Sequence, residues 1–373
     1  MNDIIEALEA TVRAVCAKHA DVAAGARSPW NAPLWTALEQ IGVTTLSVPE
    51  EHGGSGGDLA TAVAVLEVLG QYSAAVPLAE TALLAGWLVA GCGAAIPGGP
   101  MTAAVAGPEL RVDPQDDGVR VAGAVGRVPW ARCAEHLALL AGDRVIVLRR
   151  EEFVVRERTN LADEPRDDVV VDVRVPASRV HPLGRDAATV ARELRARAAL
   201  ARAALIAGAA RRALELAVAY AGEREQFGRP IAKFQAVQQH LAAMAGEVLL
   251  AKIAAEAAAL AVDRDTEAEV AVAAAKAVTG QAAGVVASLA HQIHGAIGFT
   301  EEHPLRHSTT RLWAWRDEAG NEAAWAAVLD RHVLAAGTGG LWSLLTEVVG
   351  GADADGTPPH TSATQRQGKE SHG

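Results

Sequence analysis

Three groups of residues have the types and spacing to do chemistry. Residues 220–244 read Tyr-Ala-Gly-Glu-Arg-Glu-Gln-Phe-Gly-Arg-Pro-Ile-Ala-Lys-Phe-Gln-Ala-Val-Gln-Gln-His-Leu-Ala-Ala-Met. A guanidinium on a glycine-containing turn, here Arg224 ahead of Phe227-Gly228, can grip a pyrophosphate through two parallel N–H bonds. The second group, Gly53-Gly-Ser55-Gly-Gly57, has the form of a G-x-S-x-G nucleophile elbow. No series of parallel strands surrounds it, so the reading is a flexible glycine loop. The third group is His291, His294, His303 and His307 with Glu301 and Glu302. Their i,i+3 and i,i+4 spacings suit metal ligands, but Pro304 interrupts the second pair and glycines fill the segment, so no metal site is expected.

The elements that must position these residues follow from periodicity. Apolar positions recur at helical spacing over 3–25, 35–41, 58–69 with Asp58 as N-cap, and 72–89 with an interruption near Pro77. From 101 to 179 the runs are short and β-branched: 102–105, 119–121, 137–140, 145–148, 153–155 and 169–175. After Pro182 long Ala/Leu-rich helices return at 188–222, 234–262 and 266–294, then a shorter unit at 303–313 and a last helix at 321–349. The expected fold class is α+β and mostly helical. It comprises an N-terminal helical domain (1–99), a small middle β domain (100–182), a C-terminal four-helix bundle (183–350) and a disordered tail (351–373).

Composition narrows the function classes. The 373 residues carry 34 Lys+Arg against 45 Asp+Glu, a net charge of −11, with 50% hydrophobic and 4% aromatic residues. An acidic balance removes the counterion release that drives nucleic-acid binding, so no nucleic-acid partner is expected. Cys16, Cys92 and Cys133 form no CxxC pair and read as small buried hydrophobes. The first residues lack the basic and apolar regions of a signal peptide. The most apolar stretch, 82–89, is too short to cross a bilayer. A cytoplasmic protein with no membrane partner is expected.

The 220–244 segment closely resembles the signature of the acyl-CoA dehydrogenase family, an Arg-x-x-Phe-Gly turn between two long helices followed by Phe-Gln-x-Val-Gln. Two more segments agree, in family order. Val48-Pro-Glu-Glu-His-Gly-Gly-Ser-Gly56 with Leu66-Glu-Val-Leu-Gly70 looks like the first-domain loop and its next helix. His291-Gln-Ile-His-Gly-Ala-Ile-Gly-Phe-Thr300 with Glu302-His-Pro304 looks like the C-terminal flavin-contacting loop. The resemblance implies the same three-part fold, FAD as cofactor and an acyl-CoA thioester as substrate, within fatty acid or lipid metabolism. It implies FAD contacts from Arg224, Phe227, Gln235, Gln292, Gly295 and Gly298, with Gln292 and Gly295 reaching a neighbouring subunit's FAD. A homotetramer, or an α2β2 assembly with a paralogue, follows, and electron-transfer flavoprotein or a similar acceptor is the implied redox partner.

The family's reaction removes a proton α to the thioester with a carboxylate whose pKa burial raises, while the β-hydride passes to the flavin. Residues 311–322, Arg-Leu-Trp-Ala-Trp-Arg-Asp-Glu-Ala-Gly-Asn-Glu, put Glu318 nearest the family's Glu-Gly-Thr base, one residue out of register, with Asp317 as the alternative. The family's other base position, on the first long bundle helix, falls on Ala198. The middle domain lacks the Thr-Glu-Pro, Gly-Ser-Asp and Trp-Ile-Thr-Asn segments that face the flavin: 101–113 read Met-Thr-Ala-Ala-Val-Ala-Gly-Pro-Glu-Leu-Arg-Val-Asp and 125–131 read Val-Gly-Arg-Val-Pro-Trp-Ala. Two readings stay open. One is a dehydrogenase with its own base; the other is a non-catalytic subunit that completes a partner's flavin site.

Overall fold

The computed structural model describes residues 2–24, 30–264 and 268–347. The tail expected at 351–373 lies outside them. The chain begins with α1 (Asn2–Ala24), α2 (Ala32–Gln40) and α3 (Leu59–Gln71), followed by α4 (Ala79–Ala90), whose turns over Ala79–Gly86 are π-helical. Asp58 caps α3 as expected, its carboxylate accepting the Thr61 N–H at 2.8 Å.

Eight strands follow: β1 (Met101–Val105), β2 (Leu110–Gln115), β3 (Gly118–Pro129), β4 (His136–Ala141), β5 (Arg144–Arg149), β6 (Phe153–Arg156), β7 (Arg166–Val175) and β8 (Val180–Pro182). They form two four-stranded sheets, ordered β1-β4-β5-β8 and β2-β3-β7-β6. Only the β1–β4 pair is parallel. Period-two alternation shows how the sheets stack. On β4, Leu137, Leu139 and Ala141 enter a core shared with Val121, Val169 and Val171 of the other sheet. Ala138 and Leu140 point the opposite way, into the helical core with Leu78, Leu83 and Leu205. The first sheet is thus buried on both faces, between the second sheet and the helices. That explains why β4 and β5 read as unbroken apolar runs.

The remaining helices are α5 (Ala187–Glu223), α6 (Gln235–Asp263), α7 (Ala268–His294), α8 (Leu305–Asp317) and α9 (Glu322–Glu347), the last broken at Gly337 by a φ of 61°. A two-residue-strand hairpin, β9 (Glu225–Gln226) and β10 (Arg229–Pro230), joins α5 to α6. The segment Ala268–Phe299 is apolar and long enough to cross a membrane by composition and length, a stretch the sequence reading passed over, and 67% of its most apolar window is buried inside the fold. α5 is the central member, touching α3, α6, α7 and α8. Positions 199–210 along it are all buried. Of the cysteines, only Cys16 is fully buried; Cys92 and Cys133 are half-buried, and all three are free thiols.

Small residues let α3 and α5 approach closely. A Cβ built on Gly208 would stand 1.9 Å from the Glu67 carbonyl oxygen, and one on Gly70 would stand 2.2 Å from that of Leu205. Both obstacles are backbone, so neither can swing aside. Gly208→Ala must push the two helices apart, and is expected to cost about 1–3 kcal/mol, read as a lower thermal unfolding midpoint with the helical circular dichroism retained.

Candidate active site

The candidate residues fall into two separate places. The first is a cavity of about 870 Å³ between the β domain, α5 and the C-terminal end of α8. Ala103 to Val105 of β1 and Arg127 and Pro129 of β3 form one wall, Leu194, Ala198 and Arg202 of α5 another, and Trp313, Asp317 and Glu318 a third. Both candidate carboxylates and the Ala198 position are therefore at one cavity.

Glu318 is held by three groups. Arg166 meets it in bidentate fashion, Nε to Oε1 at 2.8 Å and Nη2 to Oε2 at 2.7 Å. Arg202 Nε donates to Oε2 at 2.7 Å and Asn160 Nδ2 to Oε1 at 2.8 Å. The contacts continue outward. Arg202 Nη2 donates to Glu80 Oε1 at 2.6 Å, while Glu164 accepts from Arg166, from Arg311 at 3.1 Å and from the Trp315 indole N–H at 2.8 Å. Three carboxylates and three guanidiniums thus form one buried, neutral cluster.

This corrects one expectation. Burial would raise the Glu318 pKa as foreseen, but the Arg166 and Arg202 guanidiniums outweigh burial and hold it down at about 2. Glu318 is a firmly ionised anchor, with little affinity for a proton. Asp317 beside it is exposed, lines the same cavity, and makes no ion pair among the described residues. The turn after them explains the split: Ala319 at φ +58° and Gly320 at φ +105° reverse the chain. Lys276, fully buried, donates to the Arg316 carbonyl at 2.6 Å, and burial pushes its pKa down to about 8.

The second place is an exposed surface at the far end of α5. Phe227 and Gly228 form the tip of the β9–β10 hairpin with φ values of +55° and +78°. Both central residues of a two-residue loop are left-handed, a conformation that favours Asn-Gly and strains Phe. Phe227 is nevertheless 91% exposed, so strain is stored where the ring gains no packing within the chain beyond an edge contact with Phe234 at 6.1 Å. Arg224, Gln235, Gln292 and Gly295 are also exposed, whereas Gly298 is buried. His294 stacks on Tyr220 at 4.7 Å, which ties the end of α7 to the end of α5 and puts the 292–298 segment beside the hairpin. None of these six residues lines the cavity. At about 1.5 Å of rise per residue, α5 carries Arg224 roughly 33 Å beyond Arg202.

FAD fits the chemistry of this surface: among the described residues it offers a guanidinium without an ion pair, an exposed aromatic ring, two exposed amides, and two buried polar atoms without hydrogen-bond partners, His291 Nδ1 and His294 Nε2. The other sequence candidates do not assemble. Ser55 Oγ bonds the Thr45 hydroxyl at 2.8 Å within its turn. Among the described residues no group of three or more His, Cys, Asp or Glu side chains is arranged to hold a metal ion.

Sequence reading missed Arg166, Arg202, Asn160, Glu80 and Glu164. Two carried a signal: Arg202 interrupts the apolar run Ala-Ala-Leu-Ala-Arg-Ala-Ala-Leu, and Glu80 interrupts another at 74–90. A charge in the middle of a buried helix face requires a partner.

Fold and site together define a flavoprotein dehydrogenase architecture, and comparison with known proteins agrees. The family model for the acyl-CoA dehydrogenase N-terminal domain matches residues 2–95 and that for the C-terminal domain matches 188–327. The chain belongs to the acyl-CoA dehydrogenase family, whose cofactor is FAD. It is 32% identical to the acyl-CoA dehydrogenase IpdE2 of Mycolicibacterium smegmatis over 82% of this chain and 91% of that protein. In structure it is similar to a glutaryl-coenzyme A dehydrogenase in complex with glutaryl-CoA, at TM-score 0.83 and 22% identity, covering 91% of this chain and 97% of the other. It is also similar to a chain of the ChsE4-ChsE5 complex from Mycobacterium tuberculosis, at TM-score 0.77 and 23% identity, covering 88% and 97%.

Glu318 also sets a pH dependence. Its folded pKa lies below its unfolded one, so the stabilisation is complete above the usual glutamate range and is lost as pH falls toward about 2. Glu318→Gln leaves two buried guanidiniums short of charge and is expected to cost about 3–5 kcal/mol at neutral pH. Chemical denaturation at several pH values checks this: the gap between wild type and variant should narrow as the solution is acidified below the glutamate range.

Proposed function

We propose that this chain serves the FAD-dependent α,β-dehydrogenation of an acyl-CoA thioester, in an assembly where its Arg224 surface contacts the FAD of a neighbouring subunit. The observation that carries the reading is the separation of the two places. The carboxylates face a cavity, while the residues assigned here to the cofactor are mostly exposed at the other end of α5, which supports their completion by another chain. A homotetramer or an α2β2 assembly with a paralogue satisfies this geometry.

When bound, FAD supplies the acceptor for the β-hydride. This chain's residues do the rest. Arg224 grips the pyrophosphate, Phe227 packs on the cofactor, and Gln235, Gln292, Gly295 and Gly298 shape its bed. In the cavity Asp317 takes the α-proton, because its carboxylate makes no ion pair among the described residues, whereas Glu318 is committed to Arg166 and Arg202. The apolar part of the lining, including Leu84, Ala104, Leu194 and Trp313, packs the acyl chain. Electron-transfer flavoprotein or a similar acceptor would be the redox partner.

The clamped state of Glu318 favours a second reading, in which this chain completes the flavin site of a catalytic paralogue and contributes no base. Flavin content and anaerobic bleaching separate the two. The first reading predicts a yellow protein bleached by an acyl-CoA, with Asp317→Asn slowing bleaching by at least about a hundredfold while flavin stays bound. A chain that is colourless alone, gains flavin on coexpression with a paralogue, and loses no activity in Asp317→Asn supports the second. Arg224→Ala should lower flavin content under both readings, and full retention of flavin in that variant would overturn the assembly geometry.

A further inference from the structure

Six charged side chains line the cavity: Arg127, Arg166, Arg195, Arg202, Asp317 and Glu318. Glu318 and its buried companions neutralise Arg166 and Arg202. Arg127 and Arg195 have no carboxylate partner among the described residues. The Arg195 guanidinium lies over the Trp325 ring, 4.8 Å from its centroid, which fixes its place without neutralising it. Asp317 is the one uncommitted acid in the lining, so the free groups carry a surplus of positive charge. Both residues are exposed, so their guanidiniums are open to solvent and to a ligand that enters the cavity.

Arg127 is also placed at a conformational cost. The β3–β7 register shifts between Val125 and Val128, and within that bulge Arg127 adopts φ +57°. Its backbone N–H donates to Asp168 Oδ1 at 3.2 Å, which pins the bulge. A bulge re-aims a side chain, and a left-handed non-glycine residue is retained where the surroundings over-determine it, as at ligand sites. Charge and strain are independent observations, and both converge on the same side chain.

We propose that Arg127 and Arg195 form an oxyanion-binding subsite in this cavity, and that the acyl-CoA it accepts presents a negatively charged oxygen group there. Two parts of such a ligand carry that chemistry: a second acid group at the far end of the acyl chain, and the 3′-phosphate of CoA. The bulk of the lining, including Leu84, Ala104, Leu194, Ala198 and Trp313, is apolar, so a chain of methylenes ending in a carboxylate matches both kinds of wall. The inference rests on the cavity being the thioester site, as the functional reading holds.

Binding, rather than turnover, tests it. The flavin-loaded assembly is titrated calorimetrically with unreactive thioether analogues of glutaryl-CoA and hexanoyl-CoA, and with the 3′-dephospho form of the latter. Arg127→Gln and Arg195→Gln are each expected to weaken the glutaryl analogue at least about tenfold, the loss of a charge-assisted hydrogen bond, and to leave the hexanoyl analogue within about twofold. Arg127→Lys should recover part of the loss, and unchanged thermal midpoints show that the bulge has survived. If instead both phosphorylated analogues weaken equally and the dephospho form does not, the subsite stands and its ligand is the CoA phosphate. Wild-type affinities carried over unchanged into both glutamine variants, or an equal loss for all three analogues, overturn the subsite while leaving the dehydrogenase reading intact. If no analogue binds the wild-type assembly, the thioester site itself fails, and the subsite with it.

Discussion

The ion cluster around Glu318 is the interaction on which the site depends. It brings together four regions distant in sequence: Glu80 from α4, Asn160 to Arg166 from the loop into β7, Arg202 from α5 and Glu318 from the end of α8. Burying three acids and three guanidiniums is tolerated only because each charge meets an opposite one with good hydrogen-bond geometry. The β domain could pack on the helices through apolar contacts alone, since β4 and β5 are buried on both faces. Apolar contacts are non-directional, however, and would not fix how the loop before β7 stands relative to α8. The cluster supplies that direction, and the cavity is the space its members frame.

The same constraint decides the chemistry of two neighbouring acids. Asp317 and Glu318 are consecutive, yet the first is exposed and makes no ion pair among the described residues while the other meets two guanidiniums. The division arises where α8 ends. Lys276 holds the Arg316 carbonyl from inside the bundle, and the left-handed Ala319 and Gly320 turn the chain back at once toward α9. Alanine at the first of these positions accepts a conformation that favours glycine. A buried lysine with a lowered pKa is costly to maintain, so its bond to that carbonyl has a positional effect beyond helix capping: it sets which acid faces the cluster.

How much of this was legible from the sequence varies with the range of the interaction. Helices came through well because their signals are local. Asp58 caps α3 as read, and α5, α6 and α7 begin and end within about two residues of the periodic runs, as expected for boundary reading. β2 was not legible, because Pro114 and its polar neighbours at a sheet edge lack the alternation of a half-buried strand. β3 was read at a fraction of its length, since Gly123 and Gly126 break the β-branched pattern that its partner β7 sustains. The hairpin between α5 and α6 was legible as a turn joining two long helices because Arg224 to Gln235 is contiguous. The Glu318 cluster was not, since its partners lie more than a hundred residues from it, and no local pattern says which charge meets which. That is why burial alone was expected to govern the Glu318 pKa, and why the sign of the shift came out reversed.

The length of α5 turns these local facts into a statement about assembly. One unbroken helix has the cavity residues near its start and the Arg224 hairpin just past its end, and its middle is so densely packed with alanine and glycine that it acts as a rigid spacer. A rigid spacer prevents a chain from folding its own Arg224 back onto its own cavity. The proposed assembly accounts for a left-handed, solvent-facing Phe227 at the tip, since a cofactor held between chains would cover that ring. The His291 and His294 ring atoms left unpaired beside it point the same way, because buried polar atoms without partners are rare in finished structures. In the proposed assembly these two ends of α5 complement each other: the cavity residues lie near its start, the Arg224 surface lies just past its end, and a neighbouring chain would supply what that surface lacks.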